Sequence, residues 1–207
     1  MRTFPKQLFI AGTDTDIGKT LICASLVWGL KGHYFKPFQS GSTEGTDRAW
    51  IQDITGLGEE HFSAESYKLK APLSPNQAAQ MEQVTIDLDQ VKLPKYHQPH
   101  LIIEGVGGLM VPLNPQTLLI DWLSTLDIDV LLVARSGLGT LNHTLLSIEA
   151  MRQRKIPVIG IVLNGPLNQK NATDIQSFSQ IPVLAQIPPH AALNQSSLDQ
   201  IYHQLVL

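Results

Sequence analysis

Gly12-Thr13-Asp14-Thr15-Asp16-Ile17-Gly18-Lys19-Thr20 follows the apolar run Leu8-Phe9-Ile10-Ala11 and precedes a helix-like stretch, residues 21–30. A strand, a tight loop and a helix with Gly-Lys-Thr at the turn is the layout of a phosphate-binding loop. Loop amides and the positive end of the helix can face an anion there. Lys19 is spaced to reach the terminal phosphates of a nucleotide, and the Thr20 hydroxyl to ligate an accompanying Mg²⁺. Between Gly12 and Gly18 the loop is one residue longer than the common form.

On both sides of this loop, short apolar runs alternate with helical patterns. The apolar runs predict strands at 8–11, 34–36, 100–104, 129–134, 157–163 and 182–187. Their continuous, β-branched character suits a sheet covered on both faces. Amphipathic spacing predicts helices at 46–55, 75–81, 118–126, 141–154, 172–180 and 197–205. The alternation predicts an α/β fold with a doubly wound, mainly parallel sheet and helices on both faces. With 207 residues, 43% of them hydrophobic, the chain suits one core, so a single domain over 1–207 is expected. Residues 56–99 carry Pro72, Pro75 and Pro94 and predict loops and helices over the site.

Fifteen Lys and Arg against 18 Asp and Glu give a net charge of −3, which predicts no general attraction to nucleic acid or an anionic membrane. No apolar run is long enough to span a bilayer, and the polar opening residues do not read as a secretory signal. The single cysteine, Cys23, excludes an internal disulfide and reads as a small buried residue. A cytoplasmic protein is the expectation.

In an open parallel sheet, ligands bind beyond the carboxyl ends of the strands. Those ends are where the polar residues collect. The second strand ends in Lys36-Pro37-Phe38-Gln39-Ser40-Gly41, the third in Glu104-Gly105-Val106-Gly107-Gly108. The later ones end in Arg135-Ser136-Gly137, Asn164-Gly165-Pro166 and Pro188-Pro189-His190. Glu104, a carboxylate at a strand end beside a phosphate loop, is a natural second attachment for Mg²⁺. Lys36, set between apolar residues and Pro37, adds a second cation beside transferring phosphate. Asp47 reads equally well as a ligand and as a carboxylate favoured by a helix N-terminus. Around Gly139, Thr140 and Asn142 the local reading is ordinary helix capping. His97 and His100 read as loop residues, and Trp28, Trp50 and Trp122 as core.

Taken together and in this order, the segments GTDTDIGKT (12–20), KPFQSG (36–41), EGVGG (104–108) with VPL (111–113), GTLNH (139–143), GIVLN (160–164) and IP (187–188) resemble the dethiobiotin synthetase family, over nearly the whole chain. The resemblance implies an ATP-dependent cyclo-ligase. Such an enzyme joins 7,8-diaminononanoate and CO₂ through a carbamate and a carbamic–phosphoric anhydride. It implies ATP phosphates held by Asp16, Ile17, Gly18, Lys19, Thr20 and Leu21, with Gly105, Val106 and Gly107 alongside. It implies Mg²⁺ on Thr20, Asp47 and Glu104, and catalysis by Lys36 with Lys19. Asn164, Gly165, Pro188, Pro189 and His190 are similar to the family's adenine-binding segments. Ser40 would contact the substrate. Gly139, Thr140, Leu141 and Asn142 would bind its carboxylate from the second subunit of a homodimer.

Two features depart from the family pattern. The link before Lys36 is short, which leaves room for a truncated second strand, and Asn194 stands where an acidic residue is common near the base. Two rival classes are weighed. A cofactor amidoligase usually carries a glutaminase domain, for which 207 residues leave no room. A partitioning-type switch ATPase carries a signature lysine early in the loop, where this chain has Thr13 and Asp14.

Overall fold

The computed structural model describes residues 2–207. A six-stranded sheet runs β2 (His33–Phe35), β5 (Leu101–Glu104), β1 (Gln7–Gly12), β6 (Asp129–Arg135), β7 (Val158–Asn164) and β8 (Val183–Ile187) across its width. Every pairing in it is parallel. Alternate residues of β1 serve opposite faces, as the pleat requires. Leu8 and Ile10 pack with Ile102, Leu131 and Val133 beneath three helices: α1 (Lys19–Leu30), α2 (Asp47–Thr55) and α7 (Gln195–Val206). Phe9 and Ala11 pack with Leu101, Ile103 and Leu132 on the other face. That face is covered by α3 (Pro75–Met81), α4 (Leu119–Leu123), α5 (Thr140–Gln153) and α6 (Gln169–Ser179). These strand side chains are fully buried, and each large one contributes roughly 1.5–3 kcal/mol. The expected doubly wound fold is the one observed.

The link before Lys36 costs β2 little. Lys31 takes a left-handed conformation and its N–H returns to Trp28 and Val27 carbonyls, ending α1. His33, Tyr34 and Phe35 then pair at once with Leu101, Ile102 and Ile103. Phe38–Gln39 (β3) and Tyr67–Lys68 (β4) form a separate two-residue ladder too short for any periodicity to reveal.

Two expectations are corrected. The helix expected over 118–126 ends at Leu123, because the Ser124 and Thr125 hydroxyls turn back onto the Asp121 and Trp122 carbonyls at 2.7 Å. Of the tryptophans, Trp122 is core and Trp28 packs against the core from α1, but Trp50 is 38% exposed on the outer side of α2, whose inward residues are Ile51 and Thr55. Trp28 is half-buried and donates its indole N–H to Asp199 at 2.7 Å. Cys23 is fully buried, and burial with the neighbouring Glu104 charge pushes its thiol well up. His97 and His100 lie in the irregular stretch before β5, the latter with Nδ1 2.8 Å from the Pro5 carbonyl. No helix among the described residues is long and apolar enough to cross a membrane.

His33, at the edge of the sheet, is buried with Nδ1 3.1 Å from the Glu60 carbonyl and Nε2 2.7 Å from the Ser63 hydroxyl. Burial holds its imidazole below the ordinary range, against the opposing hydrogen bonds of Gln98 and Glu60. The unfolded chain binds this proton near pH ~6.5 and the folded chain only at lower pH. Stability from His33 is therefore present above that value and lost as pH falls through the folded pKa. The melting temperature should drop more between about pH 7 and pH 5 in the wild-type protein than in His33→Gln. Parallel profiles for the two proteins would contradict this assignment.

Candidate active site

The loop between β1 and α1 is shaped for close approach. Gly18 caps α1 with φ +95° and without a side-chain bond, leaving the first helical amides free. A Cβ there would lie 2.2 Å from Asn164 Nδ2, an atom already donating to the Ile17 carbonyl at 2.9 Å. Lys19 folds back to donate to the Asp14 carbonyl at 2.8 Å. Burial draws its amine below the ordinary lysine range, Glu104 opposes that shift, and Lys36 adds to it.

Around this loop the strand ends bring one charged cluster together. Glu104, at the end of β5, is 1% exposed. Its Oε1 accepts from the Thr20 hydroxyl at 2.8 Å and from Lys36 Nζ at 3.1 Å. Its Oε2 accepts from the Tyr34 hydroxyl at 2.7 Å. Lys36 Nζ also pairs with the Asp47 carboxylate. Asp47 opens α2, where the Thr46 hydroxyl accepts from the Ala49 N–H at 3.1 Å, a cap worth about 1 kcal/mol. The Asp47 N–H is itself held by Gln39 Oε1 at 3.1 Å. Burial disfavours charge on Lys36, but Glu104 and Asp47 outweigh it and raise the lysine, which stays ionised. Burial and the Glu104 charge push the Tyr34 phenol well up, so it remains a donor.

Thr20, Lys36, Asp47 and Glu104 line a cavity of about 580 Å³. Thr15, Asp16, Gly18, Lys19 and Thr20 form one wall, and Lys36, Gln39, Ser40, Glu44 and Asp47 a second. Glu104, Val106, Gly107 and Val111 lie between them. Pro72, Leu73, Ser74 and Pro75 border it as well, so the proline-bearing stretch reaches the site as expected. The Ser40 hydroxyl is buried without a partner. Larger hollows between α6 and β8 and beside α3 hold none of this charge. No group of three or more His, Cys, Asp or Glu side chains among the described residues is placed to hold a metal. Two carboxylates and a hydroxyl suit a hard cation that keeps water and phosphate as its other ligands, which describes Mg²⁺. The Lys36 ammonium already bridges both carboxylates, so their oxygens converge on one cation.

The remaining expected residues lie apart from this cavity. Asn164 reaches the loop through Ile17, and Gly165 donates to the Ile187 carbonyl at 2.9 Å, joining the ends of β7 and β8. Pro188, Pro189 and His190 follow directly, and His190 Nε2 is buried without a partner. Leu21 is half-buried on α1, while Gly105 is buried against the Phe9 ring and donates to the Ile10 carbonyl at 3.0 Å. Gly139 caps α5 in a left-handed conformation with no side-chain bond. The capping reading of Thr140 and Asn142 is therefore overturned: the Thr140 hydroxyl meets Thr144 at 3.2 Å instead, and Asn142 is exposed. With Leu141, these residues line no part of the Lys36 cavity within one chain. Asn194 caps α7, accepting from the Ser197 N–H at 3.0 Å, which accounts for an amide at that position. Sequence reading missed Tyr34 and the supporting role of Gln39. The signal for Tyr34 is its register opposite Ile102, two residues before Glu104 on the same face.

A parallel sheet with Gly-Lys-Thr between β1 and α1, and charged residues at the adjoining strand ends, defines a P-loop nucleotide-handling protein. In keeping with that class, a family model described as "AAA domain" matches residues 6–197. The chain is 43% identical over 193 residues to the ATP-dependent dethiobiotin synthetase BioD of Paramagnetospirillum magneticum, covering 93% of each protein. It is 41% identical to BioD of Brucella anthropi, over 96% of this chain and 93% of that protein. The chain belongs to the dethiobiotin synthetase family. It is also 44% identical to the biotin biosynthesis bifunctional protein BioCD of Bordetella avium, of which it spans only 43%. Among solved structures it resembles the septum site-determining protein MinD of Pyrococcus horikoshii, with a TM-score of 0.58 at 14% identity over 97% of this chain and 94% of that one. A putative plasmid partition protein of Borrelia burgdorferi gives a TM-score of 0.57 at 12% identity, over 98% and 97%. Those two likenesses concern the fold.

Gly18→Ala tests the loop geometry. A left-handed alanine costs roughly 1–2 kcal/mol, and here the new methyl also displaces the Asn164 amide. ATP binding measured by calorimetry should weaken at least tenfold while the circular dichroism spectrum is kept. Wild-type affinity in a folded variant would show that the close approach does not matter.

Proposed function

We propose that this protein is the ATP- and Mg²⁺-dependent cyclo-ligase that converts diaminononanoate and CO₂ to dethiobiotin, releasing ADP and phosphate. The observation that carries the reading is the buried Lys36 ammonium held between Glu104 and Asp47 in the cavity that also holds Lys19 and Thr20. Family membership supports the choice of reaction.

Thr20, Asp47 and Glu104 would hold Mg²⁺, which when bound neutralises phosphate charge. Asp16, Ile17, Gly18, Lys19, Thr20 and Leu21 hold the ATP phosphates, with Gly105, Val106 and Gly107 bordering them. Asn164, Gly165, Pro188, Pro189 and His190 take the adenine. One substrate amine captures CO₂ as a carbamate, whose oxygen attacks the γ-phosphate. Lys36, permanently charged, stabilises the carbamate and the transferred phosphoryl, and Lys19 balances the developing charge. The second amine then closes the ring on the mixed anhydride and expels phosphate. The unpartnered Ser40 hydroxyl offers a hydrogen bond to the substrate. Pro72, Leu73, Ser74 and Pro75 shield the anhydride from water.

Gly139, Thr140, Leu141 and Asn142 bind the substrate carboxylate of the partner subunit's site in a homodimer. Their free helix amides and the exposed Gly139 and Asn142 support this role, as does the fact that none of the four lines the Lys36 cavity of its own chain. The chain acts as one P-loop ligase domain. Fold likeness to partitioning proteins at 12–14% identity lends no weight to a switch function.

Incubation with diaminononanoate, bicarbonate, Mg²⁺ and ATP should yield dethiobiotin detectable by mass; its absence with folded, ATP-binding protein would sink the reading. Lys36→Ala should lower turnover about 10²–10³-fold and leave ATP affinity within a few fold. Equal loss of both would mean that the lysine serves nucleotide binding. Mixing Lys36→Ala with Asn142→Ala subunits should restore activity through hybrid dimers with one intact site. Exchange of subunits without rescue would rule out a shared site.

A further inference from the structure

The Glu104 carboxylate has two oxygens, and they are treated differently. Oε1 faces the cavity and meets Thr20 and Lys36. Oε2 points into the sheet's α1-covered face, where the Tyr34 hydroxyl at 2.7 Å is its hydrogen-bond donor. Tyr34 is fully buried on β2, opposite Ile102, so its ring lies on the same face as Glu104 one pleat further along β5. Phe62 packs edge-on against that ring at 6.3 Å and 64°, fixing where the hydroxyl sits. Contacts on both oxygens fix the carboxylate plane. With Oε2 released, the carboxylate is restrained only through Oε1, by the Thr20 and Lys36 contacts that a bound cation would disturb, and its last torsion is held less firmly.

We propose that Tyr34 is a positioning residue for divalent-metal binding: its hydroxyl locks Glu104 so that Oε1 is presented to the cation beside Thr20 and Asp47. The inference rests on Glu104 being a metal ligand, as proposed above. Tyr34 touches neither substrate nor metal and acts only through Glu104. A hydrogen-bonded outer partner of this kind typically sets metal affinity by 10–100-fold.

The test measures Mn²⁺ binding by electron paramagnetic resonance of the free ion, with the non-hydrolysable ATP analogue adenylyl imidodiphosphate present. Tyr34→Phe keeps the ring and removes the hydroxyl. It should weaken Mn²⁺ binding about tenfold or more, while binding of the analogue in EDTA stays within twofold. Phe62→Leu loosens the same packing and keeps the hydroxyl. It should lower the melting temperature and leave Mn²⁺ affinity close to wild type. Glu104→Gln should lose most Mn²⁺ binding. Wild-type Mn²⁺ affinity in Tyr34→Phe alongside a defective Glu104→Gln overturns the role of Tyr34 and leaves Glu104 as a ligand. Equal Mn²⁺ losses in Tyr34→Phe and Phe62→Leu overturn it too, by reducing the effect to packing. Wild-type affinity in Glu104→Gln overturns the ligand reading itself, and the inference with it.

Discussion

A lysine ammonium that is 6% exposed needs compensation, and Lys36 finds it in Glu104 and Asp47. Removing an ion from water costs several kcal/mol, so this amine is tolerated only where both carboxylates meet it. Much of the local architecture follows from that requirement. Strand β2 must lie beside β5 so that Lys36 and Glu104 leave the sheet together. Helix α2 must begin with Asp47 facing them, and Thr46 and Gln39 hold that start in place. A divalent cation taken up by the two carboxylates competes with the ammonium for the same lone pairs. Metal binding and the freedom of Lys36 are thereby linked through shared acceptors.

The sheet order supplies the rest of the geometry. From β1 the chain goes to β2 and β5 on one side and then to β6, β7 and β8 on the other. The direction of winding reverses beside β1, which opens a crevice at the carboxyl ends of the strands. The phosphate loop lies in that crevice by construction. Residues distant in sequence, such as Thr20 and Glu104 or Ile17 and Asn164, become hydrogen-bond partners across it.

Much of this was legible from residue order, and the exceptions have physical causes. Continuous apolar runs located all six strands of the main sheet, because a strand buried on both faces has few alternatives. The Gly-Lys-Thr turn located the site. Trp50 was misread because a single large apolar residue on a short amphipathic helix does not say which side it takes; Ile51 took the core. The cap of α5 was misread because Gly139 takes the N-cap position in a left-handed conformation, which places Thr140 inside the helix with its hydroxyl beside that of Thr144. Tyr34 gave no local sign of its polar contact, since a tyrosine in an apolar strand looks like core until strand register is known. The cavity wall from Pro72 to Pro75 was anticipated only as a region, because its placement depends on contacts that no periodicity encodes.

Strand β2 has three residues, with β5 on one side and only a single bridge from Tyr34 to Phe62 on the other, and it reaches β5 across the whole stretch from Lys36 to His100. Contacts of such long sequence separation form late, because closing the intervening chain carries an entropic cost before pairing returns anything. Short edge strands are also among the first elements to open in the native state. Lys36 follows directly from this strand. The cluster of Lys36, Glu104 and Asp47 is therefore tied to the shortest strand of the main sheet. A ligand that bridged Glu104, Asp47 and the phosphate loop would act as a clasp on the sheet's edge, coupling occupancy to the local lifetime of β2.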